Sequence, residues 1–385
     1  MRAVSFLIFF SIVLLIYSSI NYYVYTRGLM VFSCNPALKK WYTAIFWTVV
    51  SSFLVGMFWE RTASSIVSEW VYRVGAFWLA FMFYFLMALL LIDLVRIADH
   101  FFHFLPIFTP TGKLKLGYSV IGAVTLVVLG GYINALTTSV KEIPLTIHKS
   151  VTGNREMKIL MASDIHLGAL IGERQEQKLV RIINDQKPDL VLLCGDLVDG
   201  DIGPVLRKKL GRHIQEIRTP LGVYAITGNH EYIGGIRKTL PYLQSINIQV
   251  LRDEVVQLSN GIQLVGRDDR DSRRMGEGNN LKELKVLTRE LDHSKPIIVM
   301  NHQPFNLQEA VDVGADLHLS GHTHHGQMWP FSYITEAIFE LSWGLKQKGN
   351  TIFYVSSGFG SWGPPVRIGN RPEVVLFKIK FDSGN

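Results

Sequence analysis

Cysteine is nearly absent: the 385 residues hold only two, Cys34 and Cys194. That excludes a disulfide framework. Cys34 follows the first apolar segment and Cys194 lies inside a buried-strand pattern, so each is expected as a lone thiol, and the count fits either side of a membrane. Acidic side chains are scarce at the start. Residues 1–140 hold 4 Asp+Glu against 9 Lys+Arg, a net of +5, whereas the remainder carries only +2. The total of +7 therefore sits mostly on short loops between apolar segments, the pattern of membrane-flanking loops. It argues against a broad nucleic-acid footprint, and no nucleic-acid partner is expected. Repeats and low-complexity tracts are lacking as well.

Four apolar stretches are long enough to span a bilayer, which takes about 20 helical residues. They run Val4–Tyr25, Trp41–Trp59, Val71–Val95 and Leu116–Leu136. None carries a charge in its middle, and Asp93 falls near the end of the third. Tyr22, Tyr23, Tyr25, Trp41, Trp59, Trp70 and Tyr72 cluster near the ends, as interfacial anchors do. No small-residue cleavage site follows the first stretch, so it reads as retained rather than as a signal peptide. The expectation is a transmembrane anchor of four helices over residues 1–140, in an integral, multi-pass membrane protein whose N-terminus and C-terminal domain share one side. Basic residues divide evenly between the two faces and leave the side open. Without an ionisable residue inside the spans there is no transport pathway, so anchoring is the simpler role.

From residue 141 to 385 the texture changes to short β-type runs alternating with amphipathic stretches. Strands are expected at Lys158–Ala162, Leu190–Cys194, Val223–Thr227, Ile262–Val265, Ile297–Met300, Leu317–Leu319, Ile352–Val355 and Val374–Ile379. Helices are expected at Glu173–Gln186, Pro204–Arg218, Ile236–Ser245, Asn280–Leu291 and Asn306–Val313. Alternation of this kind implies α/β layers, in which ligands gather at the carboxyl ends of strands. The charged, Gly-containing segment Arg267–Asn280 reads as an exposed loop.

Potential metal ligands follow successive strands. Asp164-Ile165-His166 follows the first. Gly195-Asp196 follows the second, with Asp199 and Asp201 just beyond. Gly228-Asn229-His230-Glu231 follows the third, Asn301-His302 a later one, and Gly321-His322-Thr323-His324 the next. Each block alone has an ordinary reading as a polar loop or a turn. Their joint occurrence along one sheet rim points to a metal centre, and mixed carboxylate and imidazole donors suit divalent Mn, Zn or Fe better than Ca or Mg. His100, His103, His148, His213, His293, His318 and His325 fall outside the pattern.

The set resembles the five-block signature of the calcineurin-like metallophosphoesterases, D-x-H, G-D-x-x-D, G-N-H-[DE], a lone H and G-H-x-H, over roughly residues 155–380. The resemblance implies a four-layer α/β/β/α sandwich with two divalent metal ions between its sheets. Asp164, His166, Asp196 and His324 would hold one ion. Asp196, Asn229, His302 and His322 would hold the other, with Asp196 bridging. His230 would contact the phosphoryl group or protonate the leaving alkoxide, and Asp199 would orient it. Such a pair of ions activates water and clamps phosphate oxygens. Gly195, Gly228 and Gly321 are expected to permit sharp turns at the strand ends.

The tail, Ser357-Gly358-Phe359-Gly360, Pro365-Val366-Arg367-Ile368 and Arg371-Pro372-Glu373, looks like that of a bacterial subgroup of membrane-associated or exported phosphoesterases. Its glycine-rich turn and Arg367 are placed either at the substrate phosphate or in a tight turn before the last strand. The aromatic insertion Met328–Lys348 is either a membrane-facing lid or an amphipathic helix packed on the domain. The resemblance implies hydrolysis of a phosphoester or phosphodiester bond. The alternatives are a lipid-linked nucleotide-diphosphate (pyrophosphate) hydrolase and an inactive metal-binding membrane scaffold. The partners expected are a phosphoester substrate, lipid-linked in the second case, and the membrane.

Overall fold

A computed structural model describes residues 2–32, 35–103, 110–275 and 281–382. Cys34 and the last part of the expected loop, 276–280, lie outside the described residues. The chain forms two compact units, Met1–Gly131 and Tyr132–Asn385.

The first unit is helical, with α1 (Arg2–Val31), α2 (Pro36–Thr62), α3 (Ile66–Phe102) and α4 (Pro110–Ala135). Local chemistry sets the starts. Asn35 Oδ1 accepts the N–H groups of Ala37 and Leu38 ahead of α2, whose first residue is proline. Ser65 and Ser68 form a capping box on α3. Among the described residues three helices are long and apolar enough to cross a membrane, Pro36–Thr62, Ile66–Phe102 and Gly112–Ala135. Of the four expected spans, three are found among the described residues. The stretch Val4–Tyr25 does lie in a helix, α1, but Val4, Ser5, Phe6 and Phe9 fall outside the residues whose side chains are described. Asn21 is buried and its side-chain oxygen accepts a hydrogen bond from the Trp78 indole at 2.8 Å.

The second unit holds two six-stranded sheets. Its strands are β1 (Ser139–Ile147), β2 (Glu156–Ala162), β3 (Leu190–Cys194), β4 (Val223–Ile226), β5 (Gln249–Leu251), β6 (Glu254–Gln257), β7 (Gln263–Gly266), β8 (Ile297–Met300), β9 (Leu317–Ser320), β10 (Gly344–Lys348), β11 (Thr351–Val355) and β12 (Glu373–Phe381). One sheet runs β1-β12-β2-β3-β4-β5 and the other β10-β11-β9-β8-β7-β6. The strands β2 to β5 are mutually parallel, as are β7, β8, β9 and β11. Parallel strands buried on both faces read as unbroken apolar runs, and β3 and β8 are buried at every position.

Alternate side chains divide into three apolar layers. Ile159, Met161, Leu192, Ile298, Leu319 and Phe377 pack between the sheets. Leu160, Val191 and Leu193 face the other way, onto Leu179 and Ile183 of helix Glu173–Gln186. Val265, Val299 and Phe353 cover the far side with Leu307 and Ala310. The result is the expected four-layer α/β/β/α order.

Three local expectations are revised. Pro204–Arg218 is not one helix but a short turn of α-helix, Gly203–Lys208, and a 3-10 segment, Arg212–Glu216, because Gly211 between them takes a positive φ of 99°. Arg267–Asn280 is not simply an exposed loop: Asp268 and Asp269 are buried and Asp271–Met275 is helical. Asn280–Leu291 shortens to a single turn, Leu284–Leu287, within its described part.

His318 on β9 points into the outer apolar layer, its ring 5.2 Å from that of Phe353. Burial first, then the nearby Arg267, pushes its pKa down to about 3. The folded state then holds this ring neutral while the unfolded chain, near the ordinary value of about 6.5, takes up a proton. The stability it contributes is complete above about pH 6.5 and falls as the pH drops toward 3. Denaturant midpoints measured from pH 7 to 4 should fall less steeply for His318→Gln than for the native protein; equal slopes would remove His318 from the acid response.

Candidate metal centre

Every candidate side chain sits at or just past the carboxyl end of a parallel strand. Asp164 and His166 follow β2, Asp196 and Asp199 follow β3, Asn229 and His230 follow β4, His302 follows β8, and His322 and His324 follow β9. Five of them have left-handed backbone: Asp164 (φ 52°), His166 (53°), Asp196 (51°), His322 (73°) and His324 (47°). Such angles are uncommon for residues with a Cβ and cluster where function demands them. Here they turn successive side chains back over the strand ends.

Two glycines have separate reasons. Gly195 combines φ 85° with a close approach, since a Cβ there would lie 2.6 Å from the His302 ring. Gly228 has an ordinary φ of −112°, so it is not needed for a turn. It leaves room for Asp196, whose Oδ1 would stand 2.1 Å from an added Cβ.

Seven of the nine candidates converge in two groups. In one, His166 Nε2 and His324 Nε2 face each other at 3.0 Å, with Asp164 Oδ1 at 3.5 Å from the latter. In the other, His302 Nε2 lies 3.0 Å from Asp196 Oδ2, and His322 Nδ1 lies 2.9 Å from Asn229 Oδ1. Asp196 Oδ2 is also 3.8 Å from His166 Nε2, which puts its carboxylate between the groups. In each of the sets Asp164/His166/His324 and Asp196/His302/His322 the possible donor atoms lie within 4.8 Å of one another. The remaining two, His230 and Asp199, stand beside them with Nδ1 and Oδ1 3.0 Å apart.

The donor chemistry fits a pair of cations. His302 Nδ1 is 2.8 Å from the Cys194 carbonyl, which can only accept, so Nδ1 carries the proton. Nε2 lies 3.0 Å from an Asp196 oxygen and 4.0 Å from an Asp164 oxygen. Burial opposes charge on the ring, but Asp196 outweighs it and holds the ring well above the ordinary imidazole range, so without a cation a proton stands where an ion would. Burying acceptor against acceptor is costly unless positive charge lies between them. The carboxylates make the same demand. Burial lifts the Asp164 carboxyl above the usual range despite the nearby His302. Asp196 is equally buried, but His302, His230 and His166 outweigh burial and hold it well below that range. The cluster therefore keeps one negative charge easily and resists a second.

Glu231 is a site residue whose role the sequence did not reveal, although it is the last letter of the G-N-H-[DE] block. Fully buried, it accepts N–H groups from Gly228 (2.7 Å), Asp196 (3.1 Å) and Val198 (3.0 Å), tying the loops after β3 and β4 together. Arg367 is also placed differently from the reading at the substrate phosphate. It is entirely buried, 3.1 Å from His324 Nδ1 and bonded to the Gly360 carbonyl and to Asn370 Oδ1. It props the loop behind His324 and does not line the cleft.

That cleft, of about 450 Å³, has Asp196, Asn229, His230 and His322 at its floor. One wall is apolar, built from Met328, Phe331, Ile334, Phe339 and Trp362. The insertion thus overhangs the site: helix Phe331–Ile338 buries none of its residues, and Tyr333 and Ile338 are exposed. Trp362 lies beyond all five motif blocks and carried no signal in the sequence.

Glu231→Gln would point an amide N–H₂ at one or more of those backbone donors. The expected loss is about 1–3 kcal/mol of stability together with weaker divalent-metal binding. Denaturant midpoints and metal titration check this; unchanged values in both would show that Glu231 does not organise the loops.

Known proteins place this geometry. A family model described as calcineurin-like phosphoesterase matches residues 157–326. A metallophosphoesterase of Aquifex aeolicus is 36% identical over 257 residues, covering 66% of this chain and 97% of that protein. One from Campylobacter jejuni is 30% identical over 390 residues, 97% of this chain and 99% of that one, so the likeness runs through the helical region as well. A Bos taurus protein named as a transmembrane protein with metallophosphoesterase domain is 32% identical over 279 residues, 69% of this chain and 62% of that one. With long apolar helices of its own and relatives matched over almost their whole length, this membrane protein belongs to the calcineurin-like phosphoesterases, metal-dependent hydrolases with a dinuclear divalent metal centre.

Proposed function

We propose that residues 141–385 form the catalytic domain of a membrane-anchored phosphoesterase or phosphodiesterase, with residues 1–140 as its anchor. The observation that carries this reading is the convergence of buried carboxylate and imidazole donor atoms on two adjacent points. Asp164, His166, Asp196 and His324 would hold one ion and Asp196, Asn229, His302 and His322 the other, a donor set that suits Mn, Zn or Fe. A bound pair of this kind supplies a hydroxide near neutral pH and neutralises phosphate oxygens.

The chain's own groups supply the rest. Burial opposes charge on His230, but Asp196 and Asp199 outweigh it and lift the ring to about 9. His230 is therefore protonated at neutral pH and, lining the cleft, can donate to a phosphoryl oxygen or to the departing alkoxide. Asp199 Oδ1, itself held by the Gly200 N–H at 2.8 Å, faces Nδ1 at 3.0 Å and leaves the other nitrogen for the substrate. An inactive scaffold would be expected to have lost a donor or His230, and all are present.

The cleft wall favours a finer reading: the alcohol side of the substrate is apolar, as in a lipid-linked phosphoester or diphosphate. Met328, Phe331, Ile334, Phe339 and Trp362 offer apolar surface beside His230, and among the described residues no lysine or arginine lines the cleft.

Purified full-length protein in detergent, supplied with Mn, should hydrolyse an aryl phosphodiester and should prefer a matched ester with a long alkyl chain. His230→Ala should keep its metal and lose about 10²–10⁴-fold in rate. Absence of turnover on every phosphoester tried would overturn the hydrolase reading, equal rates on short and long chains only the finer one, and a metal-free His230→Ala would make His230 a ligand.

A further inference from the structure

The helical unit carries a second feature that the hydrolase chemistry does not use. A groove of about 340 Å³ opens between α1, α2, α3 and α4. Deep in it are Phe46, Trp78, Phe85 and Leu89, and at its rim stand Arg27, Asp93, Arg96 and Lys113.

Depth in the bilayer follows from α3. Val74–Ile92 is a run of 19 residues without a charge, about 28 Å at 1.5 Å per residue, close to the thickness of the hydrocarbon core. Asp93, the next residue, then emerges at the level of the lipid headgroups, and Phe85 lies about 12 Å below it. The groove runs from phosphate depth into acyl-chain depth.

The charges at the rim do not balance. Asp93 pairs with Arg27, receives a hydrogen bond from the Tyr23 hydroxyl at 2.6 Å, and is 3.3 Å from Arg96. One carboxylate thus faces two guanidinium groups, and Lys113 on the opposite wall adds a third cation. The Arg27 and Asp93 side chains are 25% exposed, and Arg96 and Lys113 are exposed at the headgroup level. A cluster of three cations and one carboxylate at headgroup depth attracts anionic lipid. Guanidinium pairs match phosphate oxygens in geometry as well as charge.

We propose that this groove binds one anionic glycerophospholipid, its phosphate between Arg27, Arg96 and Lys113 and an acyl chain along Leu89, Phe85 and Trp78. Acidic lipid then fills a gap that would otherwise leave α4 poorly packed against α1 and α3, and it stabilises the helical unit. Phosphatidylcholine with the same chains has a phosphate but carries a choline cation into the basic rim, so it binds less well.

Full-length protein in neutral detergent tests this by thermal unfolding and native mass spectrometry with phosphatidylglycerol, phosphatidylcholine or inorganic phosphate. Phosphatidylglycerol should raise Tm progressively with concentration and leave one retained lipid, and the other two should do neither. Arg96→Gln with Lys113→Gln keeps the Arg27–Asp93 pair and should abolish the difference between the lipids. Leu89→Trp, which obstructs the chain path without altering charge, should lose the retained lipid. Equal shifts from both lipids, a full shift from phosphate alone, or a double variant that responds like the native chain would each overturn the proposal.

Discussion

Two buried carboxylates crowded by imidazoles are the constraint on which the rest of this structure turns. His302 Nε2, the facing Nε2 atoms of His166 and His324, and the carboxylates of Asp164 and Asp196 occupy a few ångströms of buried space. Without ions that arrangement is held by protons, on the His302 ring beside Asp196 and between the facing His166 and His324 nitrogens. Positive charge from outside the chain resolves it, and two divalent ions resolve it without raising any imidazole to a cation. Substrate phosphate benefits from the same charge, so the feature that makes the apo-protein uncomfortable is the one that makes catalysis possible.

The framework around this cluster is built to resist that discomfort. Parallel strands, apolar on both faces, deliver each loop to the same rim, and the left-handed residues at their ends are held by the packing beneath. Glu231 gathers three N–H groups from two neighbouring loops, and Arg367 with Asn370 locks the loop behind His324. Both side chains are ionisable and buried, which is costly in isolation. Each is matched by several hydrogen bonds, and the outcome is donors fixed before any ion arrives.

Much of this was legible in the chain. Each candidate donor follows an apolar run of strand length, so strand ends could be counted and the motif residues assigned to one rim. Other features had no such signal. Strand β1 was missed because Pro144 interrupts it, and that proline is tolerated at the sheet edge, where β1 is paired only with β12. Arg367 reads as a phosphate ligand by residue type alone; only its neighbours show that it faces inward. Trp362 is far from every motif and reaches the cleft through the loop before β12. Asp93 was noticed at the end of an apolar stretch, but its meeting with Arg27, some 66 positions away, is a tertiary fact.

The central claim is that these donors hold two ions through a shared Asp196. Elemental analysis of the full-length protein, purified without chelator, tests it most directly. Two divalent ions per chain are expected, and Asp196→Asn should bring both toward zero while the fold persists by circular dichroism. A single ion in the native protein, or an Asp196→Asn variant that keeps both, would contradict the account.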